Sequence, residues 1–465
     1  GEGSGVASLW LLGIGCLLLL LLPFSCVRRP PDGRTHLRVW ASLDSPEQTE
    51  QLRGLVRRFE ERHPELRVAV EAVPPQRRAD KYLAAMQAGA CGDVLYLHWR
   101  EVPAFAARES LIPLDDWIRR DRYDVEDFLP SCLDAHRFRS RQVSLPEKGA
   151  TMLLFYNKKL FREAGLEYPT PDWTIARFAE AARRLTRRDA MGRPVQVGCL
   201  PYDATSWIWS MGGDFARGGL TELCFTQPET VRAVEFLSDL RNRWRVTTRN
   251  MDSRGRDPTA VDVFESGRVA MAVTGPWELP KYEKIQEFDW DLSLFPRGPA
   301  GRQTRYAGMG YGIWAGTRHP EASWTLLQYL VGREAMTALR GTGFTDMPTR
   351  RSVLQSVFSR QKAPFRLDLM LRSMDPADAQ VRVLPQDERW PEVERLFFEE
   401  LDSALIGLKS PARAMATAQA RAERFLSASE YRAGAVDYAG VLLLPAVIGW
   451  LLLRRARRRS GREPD

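Results

Sequence analysis

No C-x-x-C pair occurs in the 465 residues, histidine appears only five times and scattered, and neither G-x-S-x-G nor H-E-x-x-H is present. These absences remove the usual zinc frameworks and two hydrolase signatures, so neither a metal nor a cofactor is called for. Internal repeats and low-complexity tracts are missing too, which excludes solenoid and repeat architectures. The basic excess is smaller than the net charge of +8 suggests, because Arg454, Arg455, Arg457, Arg458, Arg459 and Arg462 share one tail that carries about half of it. The remaining basic residues, nearly all Arg, alternate with Asp and Glu as on solvated helix faces. With no basic, aromatic-interleaved module beside them, a nucleic-acid partner is not expected. Cysteine is sparse: Cys16 and Cys26 lie in an N-terminal apolar region. Cys91, Cys132, Cys199 and Cys224 are either small buried hydrophobes or members of one or two disulfides, which an exported location permits.

What is present points to a large, lobed, exported protein. With 44% hydrophobic and 27% charged residues over this length, one core is too few and two or more lobes are expected. The 14 Trp are the compositional outlier, and a ligand site is one place for the excess. Val6 to Phe24 is almost continuously apolar, long enough for a signal peptide or membrane anchor over residues 1–27. Cys26 follows Ser25 loosely like a lipoprotein cleavage site, although Pro23 and Phe24 fit that pattern poorly. Tyr438 to Leu453 is a second uncharged run, abutting the arginine cluster of 454–465, and reads as a transmembrane helix with a cytoplasmic tail. The chain between the two runs is then extracytoplasmic.

Along the body, Leu37 to Trp40, Leu66 to Val73 and Val94 to Leu97 have strand character, separated by helical patterns at Gln48 to Arg62 and Tyr82 to Ala88. The alternation resumes with strands at Met152 to Tyr156, Val269 to Val273, Asp291 to Phe295 and Tyr311 to Ala315. Ile175 to Leu185 is a helix with Thr170, Asp172 and Thr174 as candidate caps. Trp324 to Leu339 and Glu392 to Leu426 are helical. This α/β order predicts a mostly parallel sheet with ligands at loops beyond the strand C-termini.

Seven motifs fall in one order. Leu145 to Gly165 contains Tyr156-Asn157-Lys158-Lys159-Leu160-Phe161. Trp173 follows, then Gly212-Gly213-Asp214, Phe264 to Met271 (F-E-S-G-R-V-A-M) and Thr274-Gly275-Pro276-Trp277. Gly308-Met309-Gly310-Tyr311-Gly312 and Ser410-Pro411 close the series. From Leu37 to about Ser427 the chain thus resembles the extracellular solute-binding proteins of carbohydrate ABC importers, family 1, which include the maltose-binding-like proteins. Lys159 stands where that family usually has Asp. The run Leu442 to Leu453 departs from the family and resembles the first helix of an importer's permease subunit.

The resemblance implies a two-lobed, periplasmic-binding-protein-like (type II) α/β clamp closing by hinge bending. Lobe 1 would comprise 35–145 and 297–345, and lobe 2 146–296 and 346–427. Hinge strands would lie near Val143 to Gly149, Phe295 to Gly298 and Gly343 to Met347. Aromatic faces to cover sugar rings, with polar groups for hydroxyls, make Ser42, Asp44, His98, Trp99, Glu101 and Lys148 the lobe-1 candidates. Trp207, Trp209, Asp214, Trp277 and Trp390 are those of lobe 2, with Gly310 and Tyr311 on the cleft floor. Asp93 is read as a turn cap. Arg302 and Arg305, near that floor, leave a phosphorylated ligand open. The implied function is capture of a mono- or oligosaccharide, or a derivative, by a monomeric binding domain for permease subunits in the membrane, without catalysis. A tethered module that senses the ligand for a signalling partner is the alternative.

Overall fold

The computed structural model describes residues 32–43, 46–248, 264–340, 347–358 and 367–428. Both terminal apolar runs, the tail arginines, Cys16, Cys26 and Asp44 lie outside these residues. Among the described residues no helix is long and apolar enough to cross a membrane.

The first strand, β1 (Thr35–Ala41), buries Leu37 and Val39 and exposes Arg38 between them, the period-2 signature of a sheet face. Helix α1 (Pro46–Arg62) buries Leu52, Leu55, Val56 and Phe59, a 3.6-period stripe that covers that sheet. Strands β2 (Leu66–Ala72) and β3 (Val94–His98) both run parallel to β1, with α2 (Arg78–Gln87) connecting them. Chain segments far downstream complete this sheet: β4 (Leu145–Ala150), β10 (Ala307–Ile313) and β11 (Met347–Pro348), in the order β11-β4-β10-β3-β1-β2.

A second sheet is built from β5 (Leu153–Asn157), β6 (Pro194–Pro201), β7 (Val269–Thr274) and β8 (Trp290–Leu294), ordered β8-β5-β7-β6 with Arg187–Arg188 at the edge. Helix α3 (Ile175–Leu185), capped by the Thr174 hydroxyl on the Arg177 N–H, packs on it. Helices α4 (Ala204–Ser210), α5 (Pro228–Ser238), α6 (Trp390–Leu405) and α7 (411–428) complete this half. Short β9 (Gln303–Arg305) pairs with β12 (Gln380–Arg382) and joins neither sheet.

The observed α/β division into two sheets corrects three expectations. The sheets are mixed: β10 runs antiparallel to β3 and β4, and β5 antiparallel to β7 and β8. Chain returning across a hinge enters from the opposite direction, which helix–strand alternation does not reveal. The first half also extends past 145, because β4 pairs with β10 from Leu145 through Ala150, with one register shift; the crossing falls at Thr151, whose hydroxyl donates to Ser373. Likewise Met347 and Pro348 pair with β4, so this half continues beyond 345. Residues 343–346 of the third expected hinge are outside the described ones.

Candidate functional site

Parallel strands present their C-terminal ends on one edge of a sheet, and the residues that follow β3 and β6 meet at Arg305, which lies over Trp99 and pairs with Asp203. On the first sheet, β1 leads into Ser42, which is buried with its hydroxyl unbonded among the described residues. A separate, open depression of about 530 Å3 lies on the first turns of α1, lined by Pro46, Glu47, Glu50 and Gln51. β3 ends in a reciprocal cap. His98 Nδ1 accepts the Arg100 N–H at 3.3 Å, and Glu101 accepts the His98 N–H at 3.1 Å. Glu101 also holds Arg78 through two nitrogens at 2.9 Å each. Burial, reinforced by the Arg78 and Arg100 charges, keeps the His98 imidazole well below its usual range and hence neutral.

Trp99 is only 1% exposed and its indole N–H makes no hydrogen bond among the described residues. The guanidiniums of Arg100 and Arg305 lie 5.0 and 5.8 Å from its ring, and the Tyr306 ring meets it edge-on at 6.1 Å. Arg305 is paired with Asp203 at 2.9 Å, both nearly fully buried, and Arg100 is paired with Glu394 of α6.

On the second sheet, β6 and β7 run parallel with Pro201 beside Val273, so the residues after them emerge together. They are Tyr202-Asp203 and Gly275-Pro276-Trp277. The Tyr202 and Trp277 rings stand 6.5 Å apart, both half-buried. Gly275 is required here: a Cβ would sit 2.0 Å from the Trp277 ring, which folds back over the backbone. Asp203 adopts a left-handed φ of 64° at the start of α4, a conformation Asp tolerates better than most residues. Its carboxylate thereby accepts from both Ser206 and Arg305.

The remaining candidates lie elsewhere. Trp207 is fully buried in the second half, its ring 4.7 Å from Phe295 and 5.0 Å from Phe178. Trp209 donates its indole N–H to Asp214 at 3.0 Å, and Asp214 also binds Arg382, whose guanidinium covers the Trp209 ring. Trp209 and Asp214 therefore complete one another. Tyr311 is buried against Tyr96 at 4.7 Å, and a Cβ at Gly310 would lie 2.4 Å from the Leu145 carbonyl, so both serve the packing of β10 on its neighbours. Lys148 is half-buried on β4 and its carbonyl accepts from the Tyr306 hydroxyl. Trp390 is buried against Phe215, with its N–H unbonded among the described residues. Asp93 accepts the Arg38 N–H and the Thr317 hydroxyl, tying strand ends together. Arg302 turns inward to the carbonyls of Phe295, Asp378 and Pro171, and burial pushes its guanidinium down to about 10. It offers a phosphate nothing.

Tyr202, Asp203, Arg100 and Glu394 were not singled out by sequence. The first two follow a strand bounded by Pro194 and Pro201 and interrupted by Gly198, which hides its pattern. Gly198 is there because a Cβ would fall 1.9 Å from the Ala182 carbonyl of α3. Cys91, Cys132, Cys199 and Cys224 are free and buried, and burial raises the Cys91 thiol to about 12. Among the described residues no group of three or more His, Cys, Asp or Glu is placed to hold a metal.

A binding protein of Brucella abortus is 22% identical over 377 residues, covering 79% of this chain and 88% of the relative. The ABC substrate-binding protein Lmo0181 of Listeria monocytogenes, solved with cycloalternan, superposes with a TM-score of 0.73 at 22% identity, covering 85% of this chain and 99% of that one. UgpB of Mycobacterium tuberculosis with glycerophosphocholine gives 0.70 at 20% identity, covering 85% and 100%. The family profile of bacterial extracellular solute-binding proteins matches residues 45–337, more than half of the chain, and the chain belongs to that family.

Proposed function

We propose that this protein captures a neutral sugar between its two halves and delivers it to an ABC permease. One observation carries the sugar reading: Tyr202 and Trp277 stand half-exposed and side by side where β6 and β7 end, while Arg78, Arg100 and Arg305 are already paired with carboxylates. Aromatic faces cover the C–H side of a pyranose, while paired guanidiniums offer remaining N–H donors to hydroxyls without demanding a counter-charge. Lmo0181 carries cycloalternan and UgpB glycerophosphocholine, so both a glycan and a phosphodiester are represented among similar folds. The internal pairing of the arginines favours the glycan.

Calorimetry of the detergent-solubilised chain with gluco- and manno-oligosaccharides, and with glycerophosphocholine, tests this. Heat from a neutral oligosaccharide is expected; binding of glycerophosphocholine alone, or of nothing, would overturn it. The apolar runs Val6 to Phe24 and Tyr438 to Leu453 tether the protein to the membrane in this reading, with the folded body extracytoplasmic. Recovery in the alkaline-carbonate-washed membrane fraction is expected, and full release into the soluble fraction would refute the tether.

A further inference from the structure

Two ion pairs cross from the first half to the stretch that opens α6. Arg100, just after β3, pairs with Glu394, the side chains being 25% and 10% exposed. Arg139 pairs with Glu388 at 3.2 Å, both at the surface. Arg139 sits in the turn joining Arg137–Phe138 to Arg141–Gln142, where it and Ser140 both have positive φ and the hairpin projects it outward.

Helix α6 itself is anchored to the second half. Phe397 lies 4.9 Å from Phe215 and 4.8 Å from Phe225. Asn242 donates to the Leu405 carbonyl and Ser238 to that of Ala404. The far end of α6 is thus fixed to one half while its near end is charge-paired to the other. The neighbouring charges have partners of their own: Arg305 is taken by Asp203, Arg78 by Glu101 and Arg389 by Asp387. Glu394 is therefore the carboxylate that pairs with Arg100, and rotating the halves apart must separate them.

We propose that Arg100–Glu394, supported by Arg139–Glu388, is an interlobe latch that favours the closed clamp through protein groups alone. A buried pair regains hydration when parted, which offsets much of the lost attraction, so the latch biases the hinge and does not lock it. Closure then precedes any ligand in most of the population, and a ligand enters only through the opened fraction.

The test is a spin-label distance between α1 and α5 in the full, unliganded chain. The wild type should show a dominant short distance. Glu394→Arg should raise the open population about tenfold, and the reciprocal pair Arg100→Glu with Glu394→Arg should restore the short one. Arg139→Glu, at an exposed position harmless to folding, should shift the distribution in the same direction by less. A predominantly open wild type, or unchanged distances in both Glu394→Arg and Arg139→Glu, would overturn the latch. No sugar is present in the measurement, so it stands or falls apart from the sugar reading.

Discussion

The two cleft edges are built from the same element, the C-terminal end of parallel strands, yet they carry different chemistry. After β3, His98, Arg100 and Glu101 are engaged by backbone, Arg78 and Glu394, and Trp99 is enclosed between guanidiniums. After β6 and β7, Tyr202 and Trp277 keep half-exposed ring surface. A polar edge whose hydrogen bonds are already made is rigid and fixes alignment, whereas an aromatic edge offers apolar area to a guest. In the proposed sugar reading, one half aligns and the other grips.

The widest contrast is between two tryptophans of the second half. Trp207→Ala should cost about 3–5 kcal/mol of stability, since it empties a fully enclosed site. Urea denaturation followed by circular dichroism measures this, and a loss below 1 kcal/mol would mean the ring is not in the core. Asp203→Asn keeps the tolerated backbone but strands Arg305, and should cost about 3 kcal/mol in the same assay. An unchanged midpoint would show that Arg305 finds water on its own. Trp277→Ala, by contrast, should leave the midpoint nearly unmoved and weaken sugar binding by about 2 kcal/mol, roughly thirtyfold. Calorimetry decides; equal affinity of variant and wild type would remove gripping from this edge.

Over the window from pH 6 to pH 5, the smallest effect belongs to the first half. Burial pushes the His136 imidazole, which bonds Ser144, down to about 3. Between that value and the usual one near 6.5 the unfolded chain binds a proton that the folded chain refuses. Stability therefore falls as pH drops from about 6.5 toward 3, by up to about 1.4 kcal/mol per pH unit for this group. His136→Gln should flatten the slope between pH 6 and pH 5, and identical slopes for the two proteins would contradict the assignment.

Local patterning reached far into this molecule. The apolar stripe of 175–185 appears as read, Thr174 is the cap among the three candidates, and each strand inferred from an apolar run is present within a few residues. Where a long helix was expected over 324–339, Val331-Gly332 divides it, and over 392–426 Gly407 takes a φ of 78° between α6 and α7. Those breaks lie inside apolar periodicity that continues across them. Among site candidates, residue type pointed alike to Trp277, which is half-exposed, and to Trp99, Trp207 and Trp209, which are buried, because an indole reads the same whether it meets solvent or fills a core.

By itself the sequence determined the α/β elements, the order of the family's motifs and the aromatic richness, because periodicity and turn chemistry act over a few residues. Only the tertiary structure decided strand direction across the hinges, which tryptophans look outward, and which carboxylate neutralises which arginine. Arg305 and Asp203 are 102 positions apart, and Arg100 and Glu394 are 294 apart. Nothing local encodes such a pairing, since it comes from the packing of chain segments that meet after crossing between the halves.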